Sequence, residues 1–203
     1  MANLLVLASN NAGKLDEFRA LLGDLPIPLV TAREAGVRAF PPETGATFAA
    51  NARAKARHVT EVTGLPALAD DSGLVVDALD GAPGVRSARF GGPGLTDRDR
   101  YLLLLTQLDA MLHTSRAARF IAALACSLPD GRIIEAEGRL EGAIANAPRG
   151  THGFGYDPIF IVVGTEQTLA EMRDDEKNAI SHRARAVAAL RPQLVAVLTA
   201  MEG

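Results

Sequence analysis

Two adjacent carboxylates give the chain its first candidate for chemistry. Asp70 and Asp71 follow a short apolar stretch and precede Ser72-Gly73. In an extended chain, neighbouring side chains point to opposite faces, so the two acids should have different functions. One of them could hold a hard cation such as Mg²⁺ or activate a water molecule. An Asp-rich turn between two strands, in which Asp70 caps local N–H groups, is an equally good interpretation of these residues alone.

A candidate anion site lies near the start of the chain, in Ser9-Asn10-Asn11-Ala12-Gly13-Lys14. The segment follows an apolar run and precedes a helical pattern, and a helix N-terminus presents free N–H groups and the positive end of its dipole. Small side chains would let the backbone approach a phosphate, and Lys14 adds a point charge. The segment is not a P-loop, because the first Gly of that motif is missing and Leu15 replaces the Ser or Thr. Taken alone, the motif favours a plain strand-to-helix turn with an exposed Lys.

A Gly-rich segment with two aromatic residues could recognise a nucleobase. It reads Gly153-Phe154-Gly155-Tyr156-Asp157-Pro158, in a chain with only nine Phe and Tyr residues in total, 7 Phe and 2 Tyr. An aromatic side chain in a loop can stack on a base, and a carboxylate can accept hydrogen bonds from base N–H groups. A turn with a hydrophobic plug beneath it is the alternative interpretation.

A run of charged residues precedes the predicted last helix. Within Glu176–Arg183, the cations Lys177, His182 and Arg183 gather around a helix start, which suits an anion or a keto oxygen. The acidic residues 174–176 are interpreted as a solvated turn. A His at such a position is usually on the surface.

A fifth segment, Glu43-Thr44-Gly45, precedes another predicted helix. Thr47 is predicted to be the N-cap of that helix. Asn51 and Lys55 follow one and two turns later, on the same face as Phe48.

Strands and helices alternate around these segments, which predicts an α/β domain with a mixed sheet. The turn 129–131 joins two of the strands in a hairpin. Pro192 should break or kink the last helix. The predicted strands are 4–8, 28–31, 66–69, 73–79, 119–128, 132–140 and 159–163, and the predicted helices are 14–22, 47–62, 96–112 and 181–190.

Composition excludes several classes of protein. The 203 residues can bury a real core, and 48% hydrophobic with 22% charged residues argues against wholesale disorder. A net charge of −3 argues against a dedicated nucleic-acid-binding protein. The single Cys126 excludes an intrachain disulfide framework and a Cys-cluster metal site. No signal peptide or membrane span is visible, so we expect a soluble, cytoplasmic protein.

Lysine is scarce, and its positions are informative. Of the 21 basic residues, Lys14, Lys55 and Lys177 are the lysines and the rest are Arg. A compact ammonium on a flexible stem is not interchangeable with a guanidinium fork at a tight oxygen site. In a chain that otherwise uses Arg, these lysines are therefore candidates for function, although Lys55 could equally be a surface residue.

Together, the five segments resemble the inosine triphosphate pyrophosphatase family, whose members hydrolyse non-standard purine nucleoside triphosphates. The resemblance covers nearly the whole chain in the family's order. The blocks that carry it are Ser9–Lys14, Ala69-Asp70-Asp71-Ser72-Gly73-Leu74 with Gly81-Ala82-Pro83-Gly84 and Ser87-Ala88-Arg89-Phe90, Gly153–Pro158, and Glu176–Arg183.

The resemblance implies an activity, a fold and a set of site residues. The implied activity is Mg²⁺-dependent hydrolysis of ITP, dITP, XTP or dXTP to the monophosphate and pyrophosphate. The implied fold is an elongated mixed sheet flanked by helices, with two lobes and an interlobe nucleotide cleft, formed by a single domain over residues 1–203 and usually present as a homodimer. Asp71 corresponds to the general base, which also contacts the metal. The residues implied in substrate binding are Ser9, Asn10, Asn11, Ala12, Gly13, Lys14, Ser72, Phe154, Gly155, Tyr156, Asp157, Lys177, His182 and Arg183.

The chain departs from the family pattern at one position. The family often has two acids before Thr-Gly, and the first is a second metal ligand, but Pro42 stands there in this chain. Either Glu43 serves instead, or a water or substrate oxygen completes the metal shell. Two other functions stay open, a pyrophosphatase for modified pyrimidine nucleotides and a nucleotide-binding regulatory module without turnover. The intact Ser181-His182-Arg183 block argues against the first, and the Asp70-Asp71 pair argues against the second.

Overall fold

The computed structural model describes residues 4–10, 12–111 and 115–201. Within these residues it contains strands and helices in alternation, as predicted. The strands are β1 (Leu5–Leu7), β2 (Leu29–Thr31), β3 (Ala67–Val76), β4 (Ala117–Ser127), β5 (Ile133–Ile144) and β6 (Phe160–Val162). The helices are α1 (Ala12–Leu22), α2 (Phe48–Thr63), α3 (Asp97–Asp109), α4 (Asp174–Ile180) and α5 (His182–Ala200).

The strands form a mixed sheet in the order β2-β1-β3-β4-β5-β6. β1 pairs in parallel with β2, where Val6 lies opposite Val30, and in parallel with β3, where Val6 lies opposite Ala67. β5 pairs with β6 in antiparallel fashion, with Ala143 opposite Ile161. The predicted α/β fold with a mixed sheet flanked by helices is therefore confirmed, whereas the implied nucleotide cleft stays a prediction.

The chain forms two compact units, and the first comprises residues 1–71, 122–138 and 183–203. Its β1 is buried along its whole length, as the continuous apolar run predicted. Helix α1 buries Leu15, Phe18 and Leu22, whose spacing places them on one face. The second unit comprises residues 72–121 and 139–182. There, α3 buries Leu104, Leu105 and Leu108 in a core that includes Phe160. The prediction of a single domain stays a prediction.

Local capping chemistry sets two of the helix starts where the sequence placed them. The Thr47 side chain accepts a hydrogen bond from Ala50 N and begins α2, which ends at Gly64 in the left-handed conformation. Thr96 and Asp99 form a capping box at the start of α3. Both caps depend on residues close in sequence, which explains why they could be predicted.

Three elements differ from the prediction. Residues 174–176, interpreted as a solvated turn, form the exposed first turn of helix α4. Residues 67–76 form one continuous strand, β3, rather than two strands around an Asp-rich turn, since both carboxylates have partners that allow them to be buried in the strand. Of the predicted break or kink at Pro192, the break is wrong, because α5 continues through Pro192, and the kink stays a prediction. Pro192 lies on the exposed side, while Leu190 and Leu194 are fully buried and hold the turns on either side against the core. None of the helices in the described part of the chain combines the length and apolar character that a membrane span requires.

Candidate functional site

The two acids of β3 contact different partners, as expected for neighbouring side chains that point to opposite faces of a strand. Asp70 and Asp71 are 5% and 8% exposed. Asp70 Oδ2 accepts hydrogen bonds from Lys14 Nζ at 2.8 Å and from Arg183 Nε at 3.2 Å. Asp71 Oδ2 accepts from Asn51 Nδ2 at 3.0 Å. Both carboxylates are thus buried in the first unit with a compensating donor, which is the condition for keeping an acid away from water.

Lys55 links the two acids of β3 to a third carboxylate, that of Glu43. Its ammonium donates to Glu43 Oε1 at 3.0 Å, to the Asp70 backbone oxygen at 2.9 Å and to Asp71 Oδ1 at 3.2 Å. We call Glu43, Asp70 and Asp71 the carboxylate cluster. Burial opposes the charge on Lys55, but Asp71 and Glu43 together hold its pKa above the ordinary value. Lys55 is therefore a charged, nearly buried part of the site rather than a surface residue.

Asn51 is a site residue that the sequence placed on the same helix face as Lys55 without assigning it a function. Its Oδ1 accepts from Gly45 N at 2.8 Å, which fixes the amide so that Nδ2 faces Asp71. A Cβ on Gly45 would lie 2.6 Å from Asn51 Oδ1, so the close approach requires a residue without a side chain. The signal available in the sequence is the four-residue spacing to Lys55, which places both side chains on one face of α2.

Burial raises the pKa of Asp71 above its usual value of 3.8. Lys55 and the Asn51 amide act in the opposite direction, and the negative charge of Glu43 adds to the rise. A carboxylate with a raised pKa is a better proton acceptor near neutral pH than an ordinary one. These surroundings suit the role of general base that the resemblance implies for Asp71.

Arg183 forms ion pairs with the carboxylates of Asp70 and Glu17. It lies in the first turn of α5 with a side chain 7% exposed, and its Nη1 is 3.4 Å from Glu17 Oε2. Burial opposes its charge, yet Asp70 and Glu17 hold its pKa above the ordinary value. In this arrangement Arg183 stabilises the position of Asp70. The contact with substrate that the resemblance implies for it stays a prediction.

A pocket of about 430 Å³ opens beside the carboxylate cluster in the first unit. Of the predicted phosphate segment, Ser9, Asn10 and Lys14 line it, Ala12 and Gly13 begin α1, and Asn11 lies outside the described residues. Lysines and carboxylates share its wall, so the pocket offers charges for both an anion and a cation. Its lining residues are Leu7, Ala8, Ser9, Asn10, Lys14, Phe18, Phe40, Pro41, Glu43, Lys55 and Asp70.

Glu43 and Asp71 are the carboxylates that fit a divalent cation. The described residues contain no group of three or more His, Cys, Asp or Glu arranged to hold a metal ion. Mg²⁺ needs no such cage, since it is commonly held by one or two carboxylates together with water and substrate phosphates. The Lys55 ammonium, within hydrogen-bonding distance of one oxygen from each, marks a position where positive charge is stabilised. The donor set therefore fits Mg²⁺ bound partly through a substrate.

The Gly-rich segment Gly153–Asp157, which we call the aromatic loop, belongs to the second unit. Asp157 Oδ2 accepts from Phe154 N at 2.9 Å and from Lys177 Nζ at 2.6 Å. A Cβ on Gly153 would lie 2.1 Å from the same oxygen. The Lys177 ammonium is also 4.7 Å from the centroid of the Phe154 ring, a cation–π distance. The structure thus brings together Phe154, Asp157 and Lys177, which the sequence could only name separately.

The two aromatic residues of this loop have different environments. Phe154 is 57% exposed, so a face of its ring is available for stacking. Tyr156 is buried, and its hydroxyl donates to the Ser87 backbone oxygen at 2.9 Å. Burial raises the pKa of Tyr156 well above its usual range. Tyr156 is therefore the hydrophobic plug of the alternative interpretation, and Phe154 is the residue able to stack on a base.

His182 and Ser72 complete the predicted residues. His182 begins α5 and is 7% exposed, contrary to the surface position usual for such a histidine. Its ring stacks on Phe120 with centroids 5.0 Å apart. Ser72 follows Asp71 in β3 and is half-buried. The structure describes both environments, and the substrate contacts implied for them stay predictions.

Nearly the whole chain is similar to known proteins. The profile of the Ham1 family matches residues 5–193. The dITP/XTP pyrophosphatase of Streptomyces coelicolor is 50% identical over 195 residues, which are 93% of this chain and 95% of that protein. The dITP/XTP pyrophosphatase of Xanthomonas campestris pv. campestris is 50% identical over 195 residues, which are 95% and 98% of the two chains.

A solved structure gives the same result for the fold. The HAM1 protein from Coxiella burnetii matches with a TM-score of 0.88 and 46% identity, covering 98% of this chain and 100% of that chain. Such similarity over nearly the whole chain, with the family match at residues 5–193, includes every segment on which the resemblance depended, and it confirms that resemblance. The chain belongs to the Ham1 family.

Proposed function

We propose that the chain hydrolyses ITP, dITP, XTP and dXTP to the monophosphate and pyrophosphate, which removes these nucleotides from the pool. The observation that carries this proposal is the 50% identity, over 93% of the chain, to a protein named dITP/XTP pyrophosphatase. The carboxylate cluster beside a pocket with two lysines supports it independently, because that combination suits a triphosphate and a cation.

The phosphate chain is assigned to the pocket of the first unit. Ser9, Asn10 and Lys14 line it, and Lys14 lies in the first turn of α1, which begins at Ala12. Free N–H groups and an ammonium stabilise phosphate oxygens, and stabilising the charge of the transition state is usually the largest contribution to catalysis. Lys14 would then divide its hydrogen bonds between Asp70 and a phosphate oxygen.

Glu43 and Asp71 would hold Mg²⁺, and the resemblance supports this choice of metal. When bound, the ion would neutralise phosphate oxygens and polarise the scissile bond. Asp71 would orient the attacking water and accept its proton. The Asn51 amide holds that carboxylate in one orientation, and Lys55 keeps its charge balanced until substrate arrives.

Base recognition is assigned to the aromatic loop of the second unit. The exposed Phe154 ring would stack on the purine, and Lys177 would donate to the keto oxygen at C6 of hypoxanthine or xanthine. Adenine presents an amino group there, so a donor would face a donor, at a cost of about 1–3 kcal/mol. Ser72, His182 and Arg183 are proposed as further substrate contacts on the basis of the resemblance.

A release assay tests this proposal. Pyrophosphate would be measured with ITP, XTP, GTP, ATP and dUTP, for the wild type and for D71N. We expect release from ITP and XTP far above release from ATP and dUTP. GTP shares the keto oxygen at C6, so its rate tests whether the 2-amino group of guanine is rejected. We also expect complete loss of activity in D71N with an unchanged circular dichroism spectrum. Equal turnover of ATP, a preference for dUTP, or near-normal activity of D71N would contradict the assignment.

We further propose that the protein acts in the cytoplasm as a homodimer, because the resemblance implies a dimer and a function in the nucleotide pool. Multi-angle light scattering on the purified chain tests the oligomeric state. A monomeric mass at micromolar concentration would refute the dimer.

A further inference from the structure

We propose that Asp97 is a positioning residue for the aromatic loop, an inference that rests on the proposed role of Phe154 in stacking on the base. The observation is a hydrogen bond from Gly155 N to Asp97 Oδ2 of 3.0 Å, in which the two residues are 58 positions apart. Both residues belong to the second unit. The sequence had given Asp97 no function beyond its place at the start of a helix.

In the aromatic loop, two backbone hydrogen bonds lie on either side of Phe154. Its ring is 57% exposed, and the glycines on either side both have a left-handed backbone, with φ of 75° at Gly153 and 60° at Gly155. The Phe154 amide is held by Asp157, and the next amide along the chain, that of Gly155, is held by Asp97. These two amides lie on opposite sides of the Phe154 Cα. Together the bonds therefore fix both peptide planes that determine the direction of the ring.

Asp97 is positioned by the start of α3 and by Arg100, with a side chain that is 59% exposed. It is the first residue of α3, directly after the N-cap Thr96 and inside the capping box that Thr96 forms with Asp99. Its other carboxylate oxygen, Oδ1, lies 3.9 Å from Nη1 of Arg100, whose side chain is 12% exposed and also donates to the Leu95 backbone oxygen. One oxygen thus faces a largely buried guanidinium, and the other faces the loop.

The test uses three variants of the full chain. D97A removes the acceptor for Gly155 N, whereas D97N keeps an oxygen in the same place. D109A is the matched control, because it removes an equal charge from the same helix, at a side chain that is 60% exposed against 59% for Asp97, and Asp109 pairs with Arg116 rather than with the loop. Two measurements are made on each variant, the amide hydrogen exchange rate of Gly155 in nucleotide-free protein and the steady-state kinetics with ITP.

For D97A, we expect faster exchange at Gly155 and a KM for ITP raised about fivefold, the factor that one lost hydrogen bond supports. The kcat value should change little, since the bond orients the base rather than the reacting phosphate. D97N should restore most of the exchange protection at Gly155 and most of the KM, and D109A should reproduce neither change even if its melting temperature falls.

Several results would overturn the inference. These are unchanged Gly155 exchange in D97A, faster exchange with an unchanged KM, or the same KM rise in D109A. The exchange measurement needs no nucleotide, so it separates this inference from the proposed function. If the wild type did not hydrolyse ITP, the proposed function would fail and the role of Asp97 in base binding would fail with it, while the bond between Asp97 and Gly155 would still be measured.

Discussion

Replacing Lys55 with Met would leave Glu43 and Asp71 without the ammonium that they share. Met keeps most of the length and apolar character of the lysine stem, so the change removes a charge and three hydrogen bonds with little change in volume. Asp71 would then keep the Asn51 amide as a hydrogen-bond donor. The variant K55M therefore tests how far the stability of the first unit depends on this cation.

The expected loss follows from the burial of the pair. Removing one partner of a buried ion pair costs about 3–5 kcal/mol, because the other charge is left without compensation. The side chains of Lys55 and Asp71 are 12% and 10% exposed, so some solvent reaches them and the lower end applies. We expect the free energy of unfolding to fall by about 3 kcal/mol, and the melting temperature by about 6–12 °C for a chain of this length.

The pH dependence of the stability of K55M gives a second test of the role of Lys55. Burial already raises the pKa of Asp71, and removing Lys55 removes the main cause that opposes this rise. A carboxyl with a raised folded-state pKa binds more protons when folded, so stability falls as the pH rises above its unfolded pKa. Protonation removes the uncompensated charge. The deficit of K55M relative to wild type should therefore narrow as the pH is lowered from 7.5 toward about 4.

Urea unfolding in EDTA-containing buffer at several pH values measures this deficit. K14M is the matched control, because Lys14 is 29% exposed and its partner Asp70 keeps the Arg183 guanidinium. We expect a loss of about 1 kcal/mol for K14M, as for a partly exposed pair. A K55M protein within about 0.5 kcal/mol of wild type, or a deficit that grows at low pH, would refute this reasoning.

Three further predictions concern the same unit. G45A should push Asn51 away from Asp71, because the new Cβ would lie 2.6 Å from Asn51 Oδ1. The variant should lower kcat/KM about fivefold and change the melting temperature less. An unchanged kcat/KM would contradict this prediction. EDTA should stop turnover and leave the circular dichroism spectrum unchanged, since Lys55 already balances the carboxylates; turnover in EDTA would argue against a metal. Burial raises the pKa of Cys126 to about 12, so a thiol reagent at pH 8 should label it only after unfolding in urea, and rapid labelling of the native protein would count against its burial.

The features that the sequence predicted correctly depend on short-range chemistry. The cap at Thr47 involves a residue three positions away, and the different partners of Asp70 and Asp71 follow from the alternation of side chains in a strand. The lysine count also pointed to the site, since Lys14 and Lys55 both line its pocket. Such signals can be read from a few neighbouring residues.

The features that escaped prediction are long-range. Arg183 contacts Glu17 across 166 positions, and Asn51 contacts Asp71 across 20, so no local pattern encodes either pair. The continuous helix through Pro192 has the same explanation, because the tertiary packing of Leu194 outweighs the local effect of a proline. Local sequence propensity predicts whether a segment forms a helix or a strand, and contacts between distant segments decide where that helix or strand ends.

The Thr47 cap has a consequence for the angular position of Lys55. Each residue of a helix turns the next by about 100°, so the residue at which α2 begins decides which way every later side chain points. Inserting one residue between the cap and Asn51 would keep the helix and its composition, yet it would rotate Lys55 by about 100° away from Glu43 and Asp71. The number of residues between Thr47 and Lys55 is therefore as strictly constrained as the identity of the lysine itself.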